Sequence, residues 1–130
     1  MAARLIIILI LILININNLV FADEKNFEIL DKKNNYAKIS ILDKITSKKQ
    51  TVDIQIKKKF KIQNFEIFVD RCIKDYRKGY LETLAHVQIK DTNIKSKNIV
   101  YIFNNWMFTS YPSLNSFDHP NFDIWLEKCS

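Results

Sequence analysis

The sequence predicts a small all-β fold, either a β-sandwich or a partly open β-barrel, with one short helix near residues 112–118 and a signal peptide in front. Three observations favour it. The chain has 130 residues, enough for one domain. Several segments of five to seven residues alternate apolar and polar side chains, with short polar breaks between them. The chain has one glycine, which excludes glycine-rich phosphate-binding loops, but asparagines at 34–35, 93, 98 and 104–105 can take its place in the turns between strands.

The first 22 residues have the composition of a secretory signal peptide. Arg4 gives a positive start, Leu5–Ile14 is an unbroken run of Leu and Ile, and residues 20–22 read Val-Phe-Ala, which predicts cleavage before Asp23. An uncleaved membrane anchor is the alternative. A span needs about 20 apolar residues, and three asparagines between residues 15 and 18 interrupt this one. We therefore expect export to the periplasm.

Residues 23–35 are charged and rich in asparagine, and we expect a flexible leader there. The single β-rich domain then covers residues 36–130. Alternation over 37–41 and again over 52–56 predicts a hairpin with one solvated face. Further strands are predicted over 65–69 and 85–89.

Between and after these strands the pattern changes. A short helical turn is expected at 81–84, and Ile99 begins a last hairpin-like region. Pro112 is suited to the first position of a short helix, which His119-Pro120 would end. Residues 122–126 alternate like a strand, although the spacing of their apolar residues also fits a helical face.

The two cysteines, Cys72 and Cys129, both follow the signal peptide. An oxidising compartment favours a disulfide between them. Free or intermolecular thiols are an alternative, as is a cysteine nucleophile served by His86 or His119. Metal-ligand spacing is missing, so we expect no metal site.

Residues 101–129 contain eight aromatic side chains, more than the core of one small domain requires in so short a stretch. We expect some of them to form an exposed surface that binds an envelope protein or polymer. Packing in the core behind the disulfide is the alternative. The candidate binding residues are Trp106, Met107, Phe108, Tyr111 and Trp125.

One cluster has the composition of a chemical site. His119 would act as a general base oriented by Asp118 or Asp123. The structural alternative is a turn in which His119 and Asp118 cap the short helix and bond backbone groups, while Asp123 pairs with a lysine. Because no convincing catalytic set accompanies this cluster, His119 and Asp123 remain candidates only.

The C-terminal third also resembles a known family. Residues 105–115 read NWMFTSYPSLN and residues 118–125 read DHPNFDIW, followed by Cys129. They are similar to the GWMFASSPALN and EHPVYDVW motifs of an alphaproteobacterial family, domain of unknown function 2155. Leu42-Asp43-Lys44-Ile45-Thr46 resembles a further motif, LDK-x-T, and Cys72 falls where the family has its first cysteine.

The resemblance implies a small, exported, single-domain protein and brings no activity with it. The chain departs from the family at Tyr111, where the family has Ser, and at Asn105, where it has Gly. Asparagine tolerates a left-handed backbone, so we expect that conformation at Asn105.

Together these features predict a non-catalytic periplasmic envelope protein that binds or scaffolds through its C-terminal aromatic residues. The alternative is a small hydrolase or metal-dependent enzyme centred on His119. We expect no cofactor, no nucleic-acid partner, and membrane contact only through an uncleaved signal segment. The net charge of +6 does not by itself indicate nucleic acid, because basic excess usually means a solvated surface.

Overall fold

A computed structural model describes residues 1–16, 26–95 and 97–130. The run of Leu and Ile forms one helix, α1, Ala2–Ile16. Within the described part of the chain, α1 included, no helix has the length and apolarity that crossing a membrane requires. The predicted cleavage site before Asp23 lies outside the described residues. Eight strands follow: β1 Phe27–Leu30, β2 Tyr36–Asp43, β3 Lys48–Gln55, β4 Lys59–Ile62, β5 Phe65–Asp75, β6 Glu82–Asp91, β7 Phe103–Phe108 and β8 Phe122–Cys129.

The strands form two open antiparallel sheets, which confirms the predicted all-β class and excludes a closed barrel. The five-stranded sheet has the order β1-β5-β6-β7, and β4 also pairs with β5. The three-stranded sheet has the order β3-β2-β8. The predicted hairpin at 37–56 is β2 and β3, and the strand alternative at 122–126 is the one adopted.

The core lies between the inward faces of the two sheets. It contains Ile39 and Ile41 of β2, Leu126 of β8, and Ile67 and Val87 of the five-stranded sheet, all at most 1% exposed. The predicted disulfide is present. It joins Cys72 in β5 to Cys129 in β8, and therefore links one sheet to the other through the core.

Two expectations about local structure are wrong. Residues 112–115 form a turn closed by the Leu114 N–H on the Tyr111 carbonyl (3.1 Å), and no helix covers 112–118. The chain instead takes Phe117 into the core, and polar turn-forming residues surround it. Residues 81–84 also form no helical turn, because β6 begins at Glu82.

The leader expected at 23–35 is corrected over part of its length. Phe27–Leu30 forms β1, which pairs with β5 and places Leu30 opposite Cys72. Leu30 is buried there at 7% exposure, so burial of one side chain brings the strand into the sheet.

Candidate functional site

The five predicted binding residues do not form one surface. Met107 is 4% exposed and lies in the core, because its register partner is the buried Ala85. Its neighbours in β7, Trp106 and Phe108, therefore point to the outer face of the five-stranded sheet. Trp125 lies between the buried Ile124 and Leu126, so it points to the outer face of the other sheet. Tyr111 is exposed in the turn after β7.

An apolar row crosses the outer face of the five-stranded sheet. Register places Ile29, Ile73, Leu84 and Phe108 side by side on four strands. The next row along consists of Leu30, Cys72, Ala85 and Met107, all buried in the core. Successive residues of a strand point to opposite faces, so the first row faces outward. Ile29 is 48% exposed, and the other three are partly exposed.

Trp106 lies beside this row and is held in place. Its ring contacts the His86 ring edge-on, with centroids 5.3 Å apart. Its main-chain N–H donates to Asn105 Oδ1 (2.8 Å), and its carbonyl accepts from Asn115 Nδ2 (3.0 Å). Two asparagine side chains thus bond the main-chain N–H and carbonyl of Trp106 on the unpaired side of this edge strand, and they order the backbone there.

Asn105 does not have the left-handed backbone expected of it. Among the described residues, the positive φ angles outside glycine are at Ser47, Lys57 and Gln63, all in turns. Asn105 lies in β7, and its side chain binds the next N–H instead.

The other half of the same outer face is basic. Glu66 Oε1 lies 3.3 Å from Lys59 Nζ and 3.8 Å from Lys90 Nζ. Lys90 Nζ also lies 5.0 Å from the centre of the Tyr101 ring, a cation–π distance. Beside these groups is a cleft of about 230 Å³ lined by Lys59, Glu66, Phe68, Gln88, Lys90, Ile99 and Tyr101.

Trp125, on the opposite side of the molecule, belongs to a polar network. Its Nε1 donates to Glu127 Oε1 (3.0 Å), which also accepts from the Ser40 hydroxyl (2.7 Å) and from Lys49 Nζ (3.1 Å). The hydrogen bond from Ser40, with that from Lys49, holds the pKa of Glu127 below its usual value. The network fixes the orientation of the indole. It also covers Ser40, which is fully buried.

The candidate catalytic residues, His119 and Asp123, contact different groups. His119 Nδ1 accepts the Asn121 N–H (3.1 Å), and its ring stacks on Phe117 with centroids 5.7 Å apart. Asp123 Oδ1 lies 3.2 Å from Lys44 Nζ. These contacts match the structural alternative, a turn with a lysine-paired aspartate. In the cleft that Asp123 lines, the other lining residues come from 112–117 and 124–125, without His119. Asp118 is exposed.

Lys44 connects the LDK-x-T motif to the DHPNFDIW motif. Its Nζ donates to the His119 carbonyl (2.8 Å), and its own N–H donates to the Asn121 carbonyl (2.9 Å). Asp43 Oδ1 caps the turn by accepting the N–H groups of residues 45 and 46. The LDK-x-T segment therefore holds the loop that precedes β8 in place by hydrogen bonds.

A buried carboxylate lies at the far end of β6. Glu82 is 3% exposed, and its Oε1 accepts from the Thr109 hydroxyl (3.0 Å) and the Ser110 N–H (3.1 Å). Burial alone would raise the pKa of Glu82, but the bonds from Ser110 and Thr109 outweigh it and the pKa lies below its usual value. These bonds attach the segment after β7 to β6. No group of three or more His, Cys, Asp or Glu suited to a metal ion occurs among the described residues.

Sequence reasoning missed Ile29, Ile73 and Leu84, and it assigned no role to Lys90. One signal was available. Ile73 and Leu84 lie at outward positions of their strands, where alternation predicts polar side chains. Apolar residues at these positions are therefore the signal by which the row could have been found.

These features define a class: a small two-sheet β domain, cross-linked through its core, with an amphipathic outer face on the larger sheet. The family model "Uncharacterized protein conserved in bacteria (DUF2155)" matches residues 37–129, and the chain belongs to that family. It is also similar to the "Uncharacterized protein RP359" of Rickettsia prowazekii (strain Madrid E), with 26% identity over 116 residues, 82% of this chain and 74% of the relative. No solved structure matches the chain.

Proposed function

We propose that the protein is an exported, non-catalytic binding module of the bacterial cell envelope, and that it docks through the outer face of its five-stranded sheet. One observation carries this proposal: the apolar row of Ile29, Ile73, Leu84 and Phe108 lies beside an ordered tryptophan on a face that points away from the core. Contiguous apolar side chains on a sheet face are characteristic of an interaction surface.

Two further features support export to the periplasm. The positive, then apolar N-terminus has the composition of a signal peptide. Both cysteines are joined in a disulfide, and such bonds persist in oxidising compartments. N-terminal sequencing of the protein from the periplasmic fraction tests this part, with Asp23 as the expected first residue. Recovery of the chain from the cytosol with Met1 intact would contradict it.

Site-specific photo-crosslinking in the native bacterium tests the docking face. A photoreactive residue at His86, which contacts Trp106 on the outer face, is expected to give discrete cross-linked species. The same group at Lys128, exposed on the three-stranded sheet, is the matched control. Neither substitution removes core packing. Equal yields at both positions, or no cross-link at position 86, would contradict the proposal.

A further inference from the structure

The basic half of the outer face has more positive charge than its two acids, Glu66 and Asp91, neutralise. Lys59 and Lys90 share the single carboxylate of Glu66, whose side chain is only 16% exposed. Lys61, the register partner of Glu66 on β4, is exposed and adds a further cation. The lysines therefore present an electropositive surface with the acid beneath it, and this suits an anionic group.

Two overlapping clefts lie in this half of the face. A second cleft of about 360 Å³ shares Lys59, Glu66, Lys90 and Ile99 with the one described above. Lysine ammonium groups bind phosphate as point charges. The Tyr101 ring, with Lys90 at its face, adds a flat wall.

Along β6 the polarity of the outward side chains changes from one end of the strand to the other. The outward residues of β6 run from Lys90 through Gln88 and His86 to Leu84, from charged to polar to apolar. At about 3.3 Å per residue this path is about 20 Å long. The face thus offers charged groups to an anionic head at one end and apolar side chains to an acyl chain at the other.

We infer that the outer face of the five-stranded sheet binds the phosphate-bearing headgroup of an anionic lipid. The headgroup contacts the ammonium groups of Lys59 and Lys90 from the solvent side, and the acyl chains lie toward Trp106 and the apolar row. This inference rests on the proposed docking function and names its partner class. It adds a membrane contact besides the expected one through an uncleaved signal segment.

Vesicle co-sedimentation tests the headgroup site. The protein is purified from the envelope in its natural form and mixed with phosphatidylcholine vesicles that contain or lack 30% phosphatidylglycerol. We expect tighter binding with phosphatidylglycerol, and at least a tenfold loss in the Lys59→Gln/Lys90→Gln variant, since each lysine near an anionic surface contributes several-fold. The Lys59→Arg/Lys90→Arg variant is expected to retain binding, as is Lys128→Gln on the other sheet.

Quenching by bromine-labelled acyl chains tests where the chains lie. The protein has two tryptophans, so Trp125→Phe reports on Trp106 alone and Trp106→Phe on Trp125 alone. We expect quenching in the first variant and little in the second. Helix α1 contains no tryptophan and gives no signal of its own, and the comparison of the two variants shows which sheet faces the chains.

Several outcomes would overturn the inference: equal binding to both vesicles, equal loss with Lys128→Gln, or quenching that spares Trp106. If vesicles fail but a cross-link at His86 captures an acidic protein, the docking function stands and the lipid assignment is wrong. If both experiments fail, the docking function is wrong as well.

Discussion

Reduction of the disulfide between Cys72 and Cys129 is expected to lower the free energy of unfolding by about 4 kcal/mol. The two cysteines are 57 positions apart in sequence and lie in different sheets, at 0% and 5% exposure. Cross-linking restricts the unfolded chain, and the chain-entropy relation for a loop of this length gives about 14 cal/mol/K, or about 4 kcal/mol at 25 °C. A small domain has only about 5–15 kcal/mol in total, so the loss is large.

Urea unfolding followed by circular dichroism measures this loss. With an m value of about 1.5 kcal/mol/M for a chain of this size, the midpoint should fall by about 2.5 M on reduction. The Cys72→Ala/Cys129→Ala variant is the control, since it should unfold near the reduced midpoint and ignore reductant. A midpoint that moves by less than about 0.5 M with complete reduction would refute the reasoning, because the bond would then contribute little beyond the packing around it.

Two further predictions concern Phe65 in the core and Asp75 at the end of β5. Phe65→Ala should lower the free energy of unfolding in urea by about 3–5 kcal/mol, because this 1%-exposed ring packs edge-on against three others. Phe60 is partly exposed on β4, so Phe60→Ala should lower it clearly less. Equal losses in the two variants would contradict this prediction. The pKa of Asp75 is lowered to about 2 from 3.8, chiefly by the Arg77 side chain. Its stabilising effect is therefore complete above pH 4 and lost as the pH falls toward 2, so Asp75→Asn should flatten Tm against pH in that window, and an unchanged slope in this variant would contradict the prediction.

The strands were predictable because each has a local signal. Alternation in 37–41, 52–56, 65–69 and 85–89 reports which side chains meet the core, and the core faces of β2, β3, β5 and β6 follow it. The failures are equally local. Pro112 favours the start of a helix, but burial of Phe117 and the hydrogen bond from Asn115 to the Trp106 carbonyl fix a turn instead.

The candidate site was only partly predictable. Trp106 and Phe108 were among the expected binding residues, but Trp125 faces the opposite side and Met107 the core. A sequence gives the period of each strand and not the register between strands. Ile29 and Phe108 share one row only because β1, β5, β6 and β7 align across long separations.

The residues of the family motifs and the outer face of the five-stranded sheet have different roles, and this difference indicates where the function lies. Lys44 clamps the loop before β8, Asn115 holds β7, and Cys129 joins the sheets, so the motif residues that resemble the family mostly build the fold. His119 packs among phenylalanine rings in the same framework. What this framework leaves unexplained is the apolar row beside Trp106. Exposed apolar side chains reduce solubility and add no core packing, and their presence on an ordered face is therefore the observation on which the proposed docking function depends.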